Sequence, residues 1–498
     1  MLTQADMTSI DTCFRATVAQ CGATPFLHWG EQTLSYADCD ALVTRATDVL
    51  ATLPIPGRFI GLIAPNRPAF IIGFLAILRA GGRVVPINPR LGPDELRFIA
   101  ADAHIPLILH TPDLPVPWFA STHDVLQGEG VALAATDIPG DEQGQPPSFP
   151  GDLAHVAVCI YTSGTTGRPK GALLTHTALL HNVRMCADGL GTRVGEECLV
   201  TVLPLFHAFA ISACFLHAMC AHSRLLLVEH FQPVEVLRMM ERHAATVFLG
   251  VPAMYAVLAQ IDTAPAIPCW RLCISGGAPL PLAIAEAFQQ RFGLQIHEGD
   301  GPTECGPAAS VNPVDGRVKV GTIGVPLRGV EMKIVGDDLD ELPNGAVGEI
   351  AVRSPSNFIG YLNQPGPTAD TLRDGWVLTG DLGTRDDDGY FSIVDRKKDM
   401  LIVGGLNVYS REVEKYIAAH PAVAEVAVVG EPDGMRGEIP VACVVVREGR
   451  TLALPDLKAY LRARIAQYKI PRRLHIVEAL PRNASGKVLK AELRGRYH

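Results

Sequence analysis

At 498 residues the chain is long enough for about three or four compact units of ~150 residues each, and 48% hydrophobic against 19% charged residues excludes a disordered polymer. A net charge of −9 argues against a nucleic-acid binder, which would carry a basic face, so any anionic ligand has to be met by local positive groups. The first residues, Met1-Leu2-Thr3-Gln4-Ala5-Asp6, carry no basic region ahead of an apolar core. No run approaches the roughly 18 uninterrupted apolar residues of a membrane span, so a soluble, cytoplasmic protein is expected. The 12 cysteines are scattered and fit reduced thiols. Cys269 and Cys273, the closest pair, lack a partnering His/Cys pair and are expected to be ordinary buried thiols.

In chain order, Phe26–Trp29 reads as a strand and Ser35–Leu50 as a helix capped by Ser35. From Phe59 the alternation becomes regular. Apolar runs at 59–63, 84–87, 107–110, 156–160, 199–203, 224–228, 246–250, 271–275 and 294–297 are separated by helical patterns at 68–79, 93–103, 234–243 and 280–292. Alternating strands and helices predict an α/β architecture of doubly wound, parallel sheets covered on both faces, with ligands collecting where strands end in loops. Residues 112–150 are rich in Pro, Gly, Asp and Gln and read as a surface connection. After about residue 318, short strands with Gly and Pro turns suggest a small β-barrel-like subdomain. The last hundred residues mix helices at 411–419 and 455–467 with strands at 423–429, 439–446 and 474–477, a compact α+β unit. The expected division is a large N-terminal domain, 1–395, and a small mobile C-terminal domain, 396–498.

One stretch stands out chemically: Tyr161-Thr162-Ser163-Gly164-Thr165-Thr166-Gly167-Arg168-Pro169-Lys170-Gly171. It follows the apolar run 156–160 and precedes a helical pattern from Ala172 to about Cys186, so it reads as a strand-to-helix loop. Its glycines let backbone N–H groups face an anion, the hydroxyls add donors, and Lys170 adds a charge. It is not a Walker loop, because Pro169 separates Gly167 and Arg168 from Lys170 and no hydroxyl follows the lysine.

These eleven residues resemble the phosphate loop of the adenylate-forming enzymes, the superfamily of acyl-CoA synthetases, peptide-synthetase adenylation domains and firefly luciferase. Further motifs arrive in that family's order: Leu203-Pro204-Leu205-Phe206-His207, Ser275-Gly276-Gly277-Ala278-Pro279, Asp300-Gly301-Pro302-Thr303-Glu304, Thr379-Gly380-Asp381, Asp395-Arg396-Lys397-Lys398-Asp399, Gly404-Gly405-Leu406-Asn407-Val408-Tyr409-Ser410 and Pro481-Arg482-Asn483-Ala484-Ser485-Gly486-Lys487.

The resemblance implies a nucleotide site made by Thr162, Ser163, Gly164, Thr165, Thr166, Gly167 and Lys170 on the phosphates, with Thr303 on the α-phosphate and Glu304 on Mg²⁺. Gly277, Ala278, Pro279, Asp300 and Gly301 would line the adenine, and Asp381 and Arg396 would hold the nucleoside. His207, Val251, Gly276, Gly301 and Ala309 would form the acyl pocket, Gly404 and Gly405 the coenzyme A channel, and Lys398 the hinge. Lys487 would be catalytic, a mobile cation bridging two anions as a carboxylate attacks the α-phosphate. Asp300 departs from the family's aromatic residue and cannot stack on adenine, though it can accept a hydrogen bond from an amino group.

The implied reaction is ATP-dependent, AMP-forming activation of a carboxylic acid followed by transfer to coenzyme A, with ATP, Mg²⁺ and coenzyme A as partners. The chain stops soon after the Lys487 segment with no appended carrier domain, which favours coenzyme A. A separate acyl-carrier protein as acceptor, a luciferase-like oxygenase and a non-enzymatic nucleotide-binding module stay open. Small residues at Gly301, Ala308 and Ala309, the apolar segment 208–219 and the absence of a tryptophan after Asp300 favour a medium- or long-chain fatty acid or an aryl acid over acetate. A long-chain acid would also bring peripheral membrane contact.

Overall fold

The computed structural model describes residues 8–497 except 115, 117–121, 141, 148, 150, 163–168, 435 and 483–487. The expected phosphate-loop residues Ser163, Gly164, Thr165, Thr166 and Gly167, and the expected catalytic Lys487, therefore lie outside the described residues. The chain divides into two compact units. The first holds residues up to 162, 169–332 and 352–377; the second holds 163–168, 333–351 and 378 onward.

The first unit is α/β, as the alternation predicts. A nine-stranded sheet runs in the order Val325–Pro326, Ser310–Val311, Ile296–Asp300, Leu272–Ser275, Val247–Gly250, Cys198–Thr201, Arg224–Leu227, Pro25–Trp29, Gln32–Ser35. Its six inner strands are parallel, and antiparallel strands close both edges. Most of the inner strands are apolar runs because both faces are covered, as Leu225, Phe248 and Cys273 show by being fully buried, whereas Ile296–Asp300 carries His, Glu and Asp. An eight-stranded sheet is parallel only across Val156–Thr162, Arg83–Pro86, Phe59–Ile63 and Leu107–His110. The helix Pro68–Arg79 is apolar all round and buried along nearly its whole length, and Phe74 meets Phe215 edge-on at 5.4 Å. Local signals set the helix starts. Ser35 and Asp38 form a reciprocal capping box. Proline is the first residue of the helices beginning at 68, 93, 233 and 252, where its missing N–H costs nothing.

Three expectations are corrected. The segment from Ala172 is not helical: Lys170–Thr175 is a strand, antiparallel to Val156–Thr162 with Ile160 opposite Ala172, and the helix starts at His176. The fully buried Ala172-Leu173-Leu174 was a short apolar run of either kind. The start signal was Thr175, whose hydroxyl accepts from Ala178 N at 3.0 Å. The stretch 112–150 is not only a connection, for Thr122–Leu126 and Leu133–Asp137 pair and add to the edge of the eight-stranded sheet. Cys273 is buried as expected, but Cys269 is exposed.

Gly348–Arg353, Trp376–Arg385 and Phe391–Arg396 belong to a five-stranded sheet. A further five-stranded sheet is built on the antiparallel hairpin of Val423–Asp433 with Gly437–Val446. Ser410–Ala418 and Leu454–Arg462 cover it, burying Val413, Ile417, Leu457 and Leu461 against Val428, Ala442 and Val444. Among the described residues no helix is long and apolar enough to cross a membrane.

Candidate active site

Three parallel strands of the first unit end side by side at Gly250, Ser275 and Asp300, and the loops leaving them bound a cavity of about 110 Å³. Its walls are apolar apart from Ser275, Ser310 and Asp300: Phe209 and Ala213 on one side, Leu249 and Ile274 at the strands, and Cys186, Leu190, Val311 and Leu327 elsewhere. Phe209 and Ala213 come from a segment that winds as a π-helix over Ala210–Leu216, a wide turn often found at functional sites. A Cβ on Gly276 would sit 3.1 Å from the Phe209 ring, so glycine there keeps the space open.

Of the residues expected to contact the acyl group, Gly276 and Gly301 line this cavity; His207, Val251 and Ala309 are not among its walls. Gly277, Asp300 and Gly301 of the adenine set do line it. His207 N donates to Pro204 O at 3.0 Å, and its Nε2 is shut off from solvent with no hydrogen-bond partner among the described residues. Burial pushes its imidazole down to about 4, so the ring is neutral at pH 7.

The wall is fixed by a residue the sequence did not single out. Asn182 is fully buried. Its amide donates to Ala308 O at 2.8 Å, and its carbonyl oxygen accepts from Ser212 Oγ at 2.7 Å. It thereby ties the helix His176–Gly189 to the π-helix and to the loop after Glu304. Glu298 similarly accepts from Leu280 N at 3.0 Å and holds the far end of the loop that begins at Gly276.

Beside Asp300 the chain makes a short 3₁₀ turn, Thr303–Cys305. Tyr361 Oη donates to Glu304 Oε1 at 2.6 Å, and Lys170 Nζ lies 5.0 Å from the centre of the Tyr361 ring. Lys170 and Glu304 are thus grouped around one tyrosine. Glu304 Oε2 has no hydrogen bond among the described residues, and no group of three His, Cys, Asp or Glu side chains there could cage a metal. A carboxylate oxygen left over on a half-buried glutamate suits Mg²⁺, which keeps several waters and takes its remaining ligands from substrate phosphates. Thr162 Oγ1, at the start of the expected phosphate loop, is 3.4 Å from Lys170 O.

In the second unit Asp381 and Arg396 are opposite each other on paired antiparallel strands and form an ion pair at 2.7 Å, with Asp381 2% exposed. Lys397 Nζ reaches Glu349 at 3.0 Å. Lys398 is exposed, yet the protein packed around it withdraws enough water to outweigh the attraction of Asp399 and bring its ammonium down to about 8. Arg494 of the C-terminal helix donates to Lys398 O at 3.1 Å and pairs with Asp399 at 2.7 Å. Gly404 and Gly405 form the tip of a tight hairpin with φ of 59° and 81°, a conformation that favours glycine.

Residues 14–362 match the AMP-binding enzyme family, and residues 412–487 match the AMP-binding enzyme C-terminal domain. The chain is an AMP-binding enzyme. It is 36% identical over 488 residues to a feruloyl-CoA synthase of an Amycolatopsis species, covering 95% of this chain and 96% of that one. It is 33% identical over 480 residues to a long-chain-fatty-acid–CoA ligase of Bacillus subtilis, covering 88% and 85%. With 4-coumarate–CoA ligase 5 of Oryza sativa it shares 32% over 483 residues, covering 93% and 90%. Among solved structures it resembles ATP-bound MatB from Rhodopseudomonas palustris, with a TM-score of 0.85, 29% identity and 98% and 99% of the two chains covered. It also resembles the o-succinylbenzoate coenzyme A synthetase of Bacillus subtilis in complex with ATP and magnesium ion, with a TM-score of 0.84, 27% identity and 97% and 98% covered. This AMP-binding enzyme thus belongs to the AMP-forming acyl-CoA ligase family within the adenylate-forming superfamily. The non-enzymatic alternative falls with that membership.

Proposed function

We propose that this enzyme is an acid:CoA ligase that activates an aryl or a medium- to long-chain aliphatic acid. The observation that carries this reading is the apolar cavity at the strand ends, whose wall residues Asp300 and Gly301 run on in the chain into the turn that bears Thr303 and Glu304. An acyl body would fill the cavity, leaving its carboxylate toward Thr303. The first step is RCOO⁻ + ATP → RCO-AMP + PPi; the second is RCO-AMP + CoA-SH → RCO-S-CoA + AMP + H⁺.

In this reading Lys170, Thr162 and the residues Ser163, Gly164, Thr165, Thr166 and Gly167 bind the β- and γ-phosphates, and Thr303 donates to the α-phosphate. Glu304 holds Mg²⁺, which supplies positive charge to the phosphate oxygens. Gly277, Ala278 and Pro279 line the adenine, and Asp381 and Arg396 take the ribose. Lys487 steadies the charge of the pentacovalent transition state. Lys398 is the hinge of a C-terminal domain, 396–498, that serves the two steps in turn, with Gly404 and Gly405 on the thiol side. Coenzyme A is the acceptor, in keeping with the CoA ligases among the relatives.

Incubation with Mg·ATP, coenzyme A and a panel of acetic, octanoic, palmitic, 4-coumaric and ferulic acids tests this, with pyrophosphate, AMP and thioester followed separately. Thioester with the aryl or longer acids and little with acetate is expected. Pyrophosphate release without thioester, restored by an acyl-carrier protein, would reassign the acceptor; no pyrophosphate with any acid would refute the proposal.

A further inference from the structure

We infer that Tyr361 is a positioning residue for the metal-binding carboxylate, aiming Glu304 through a hydrogen bond while presenting its ring to Lys170. The inference rests on the reading of Glu304 as the Mg²⁺ ligand. Backbone bonds fix the tyrosine from both sides. Phe358 N donates to the carbonyl of Glu304 itself at 2.8 Å. Ile359 N and Leu362 N donate to Leu173 O and Gly171 O at 3.0 and 2.8 Å, so Gly360–Tyr361 runs as a short strand antiparallel to Lys170–Thr175, the strand of Lys170. Tyr361 N is held by Thr368 Oγ1 at 2.9 Å, and the ring meets Phe358 edge-on at 4.9 Å. The tyrosine is 5% exposed.

The phenol can only donate toward a carboxylate. An ordinary phenol keeps its proton up to about pH 10, so it is a donor at any working pH. With Oε1 engaged at 2.6 Å, the carboxylate cannot swing freely, and Oε2 is the oxygen left for a cation. Loss of the phenol oxygen would leave Oε1 without its partner and the carboxylate with several orientations, which weakens a ligand that must meet a small, geometrically demanding ion. The ring supplies a separate service: at 5.0 Å from the ring centre the Lys170 ammonium lies within cation–π range. Removing only the oxygen keeps that contact, so the two roles can be told apart.

The test is binding, read without turnover. Mn²⁺ is titrated into enzyme plus ATP with no acid present, and free Mn²⁺ is followed by its electron paramagnetic resonance signal. ATP binding in excess EDTA is measured in parallel. Tyr361→Phe is expected to weaken Mn²⁺ binding about ten-fold while leaving metal-free ATP binding unchanged. Glu304→Gln should weaken it at least as much, and the double variant no further than Glu304→Gln alone, because Tyr361 acts through Glu304. Tyr361→His, whose ring is too short to reach the carboxylate, should repeat the metal loss and serves if the phenylalanine variant does not fold. Wild-type Mn²⁺ affinity in a folded Tyr361 variant, or a double variant showing the product of the two single losses, overturns the inference while Glu304 stands as ligand. Wild-type affinity in Glu304→Gln overturns both the metal reading and the inference.

Discussion

Single residues divide here into those whose chemistry the motif states and those whose neighbours decide it. Lys487 is of the first kind. Lys487→Ala should cut pyrophosphate release from ATP plus acid by about 10²–10³-fold, the usual cost of losing a donor aimed at developing charge. Synthetic acyl-AMP should still be converted to thioester, because that step brings no two anions together. Equal losses in both half-reactions, measured separately, would remove Lys487 from its assigned role. Asp300 is of the second kind. It sits at the end of a strand on the cavity wall, with its carbonyl accepting from Ala309 N at 2.9 Å. Asp300→Tyr restores a stacking face and should lower the KM for ATP by an amount equivalent to ~1 kcal/mol or less, with kcat little changed. A raised KM would show that the carboxylate makes an adenine contact of its own.

At the level of elements, the stretch from Asp395 to Ser410 is held from several directions. Lys397 N donates to Gly380 O, and Asp399 N and Met400 N to Arg396 O, at 2.9 to 3.0 Å. Ser410 Oγ donates to Asp395, and Lys490 Nζ reaches Ser410 Oγ at 2.7 Å and pairs with Glu414 at 2.7 Å. Lys398→Pro tests whether this stretch must change its backbone during turnover, since proline locks φ near roughly −65°. The expected outcome is a single burst of pyrophosphate with acyl-AMP left bound, and thioester formation slowed by orders of magnitude. A folded variant that makes thioester at the wild-type rate would falsify the hinge at Lys398.

The whole molecule carries an acid sensitivity written into its buried imidazoles. Burial brings His28, His176, His207 and His217 each down to about 4, from the ordinary value near 6.5. In the folded protein these rings stay neutral as the pH falls through 6.5, whereas in the unfolded chain they take up protons. The unfolded state therefore binds more protons between about pH 6.5 and 4, and stability falls with pH across that window, by on the order of 1–3 kcal/mol per imidazole at its lower end. Urea midpoints should be level from pH 8 to 6.5 as far as these groups are concerned and then drop. His176→Asn, at a ring whose Nδ1 accepts from Ile10 N at 3.3 Å, should flatten the drop even if it lowers the midpoint at pH 7. A midpoint unchanged from pH 6.5 to 5 would contradict the prediction.

What the sequence alone determined is what neighbours in the chain decide. Apolar runs bounded by Gly and Pro located the parallel strands to within a few residues, Ser35 marked its helix, and the ordered motifs named the family and the reaction class, because strand periodicity, caps and glycine loops are short-range properties. It could not tell that Ala172-Leu173-Leu174 is a strand, since a buried run of three fits either element until a partner such as Cys159-Ile160 lies beside it. It left Tyr361 and Asn182 unremarked for the same reason. Their partners Glu304 and Ala308 are 57 and 126 residues away in the chain, and a tyrosine or asparagine shows nothing locally of what it will meet. The tertiary structure alone decided that Lys170 and Glu304 share one tyrosine, and that Phe209, Ala213 and Gly276 enclose one cavity. Those contacts are set by sheet register and helix packing, which bring together residues from separate elements after the local rules have done their part.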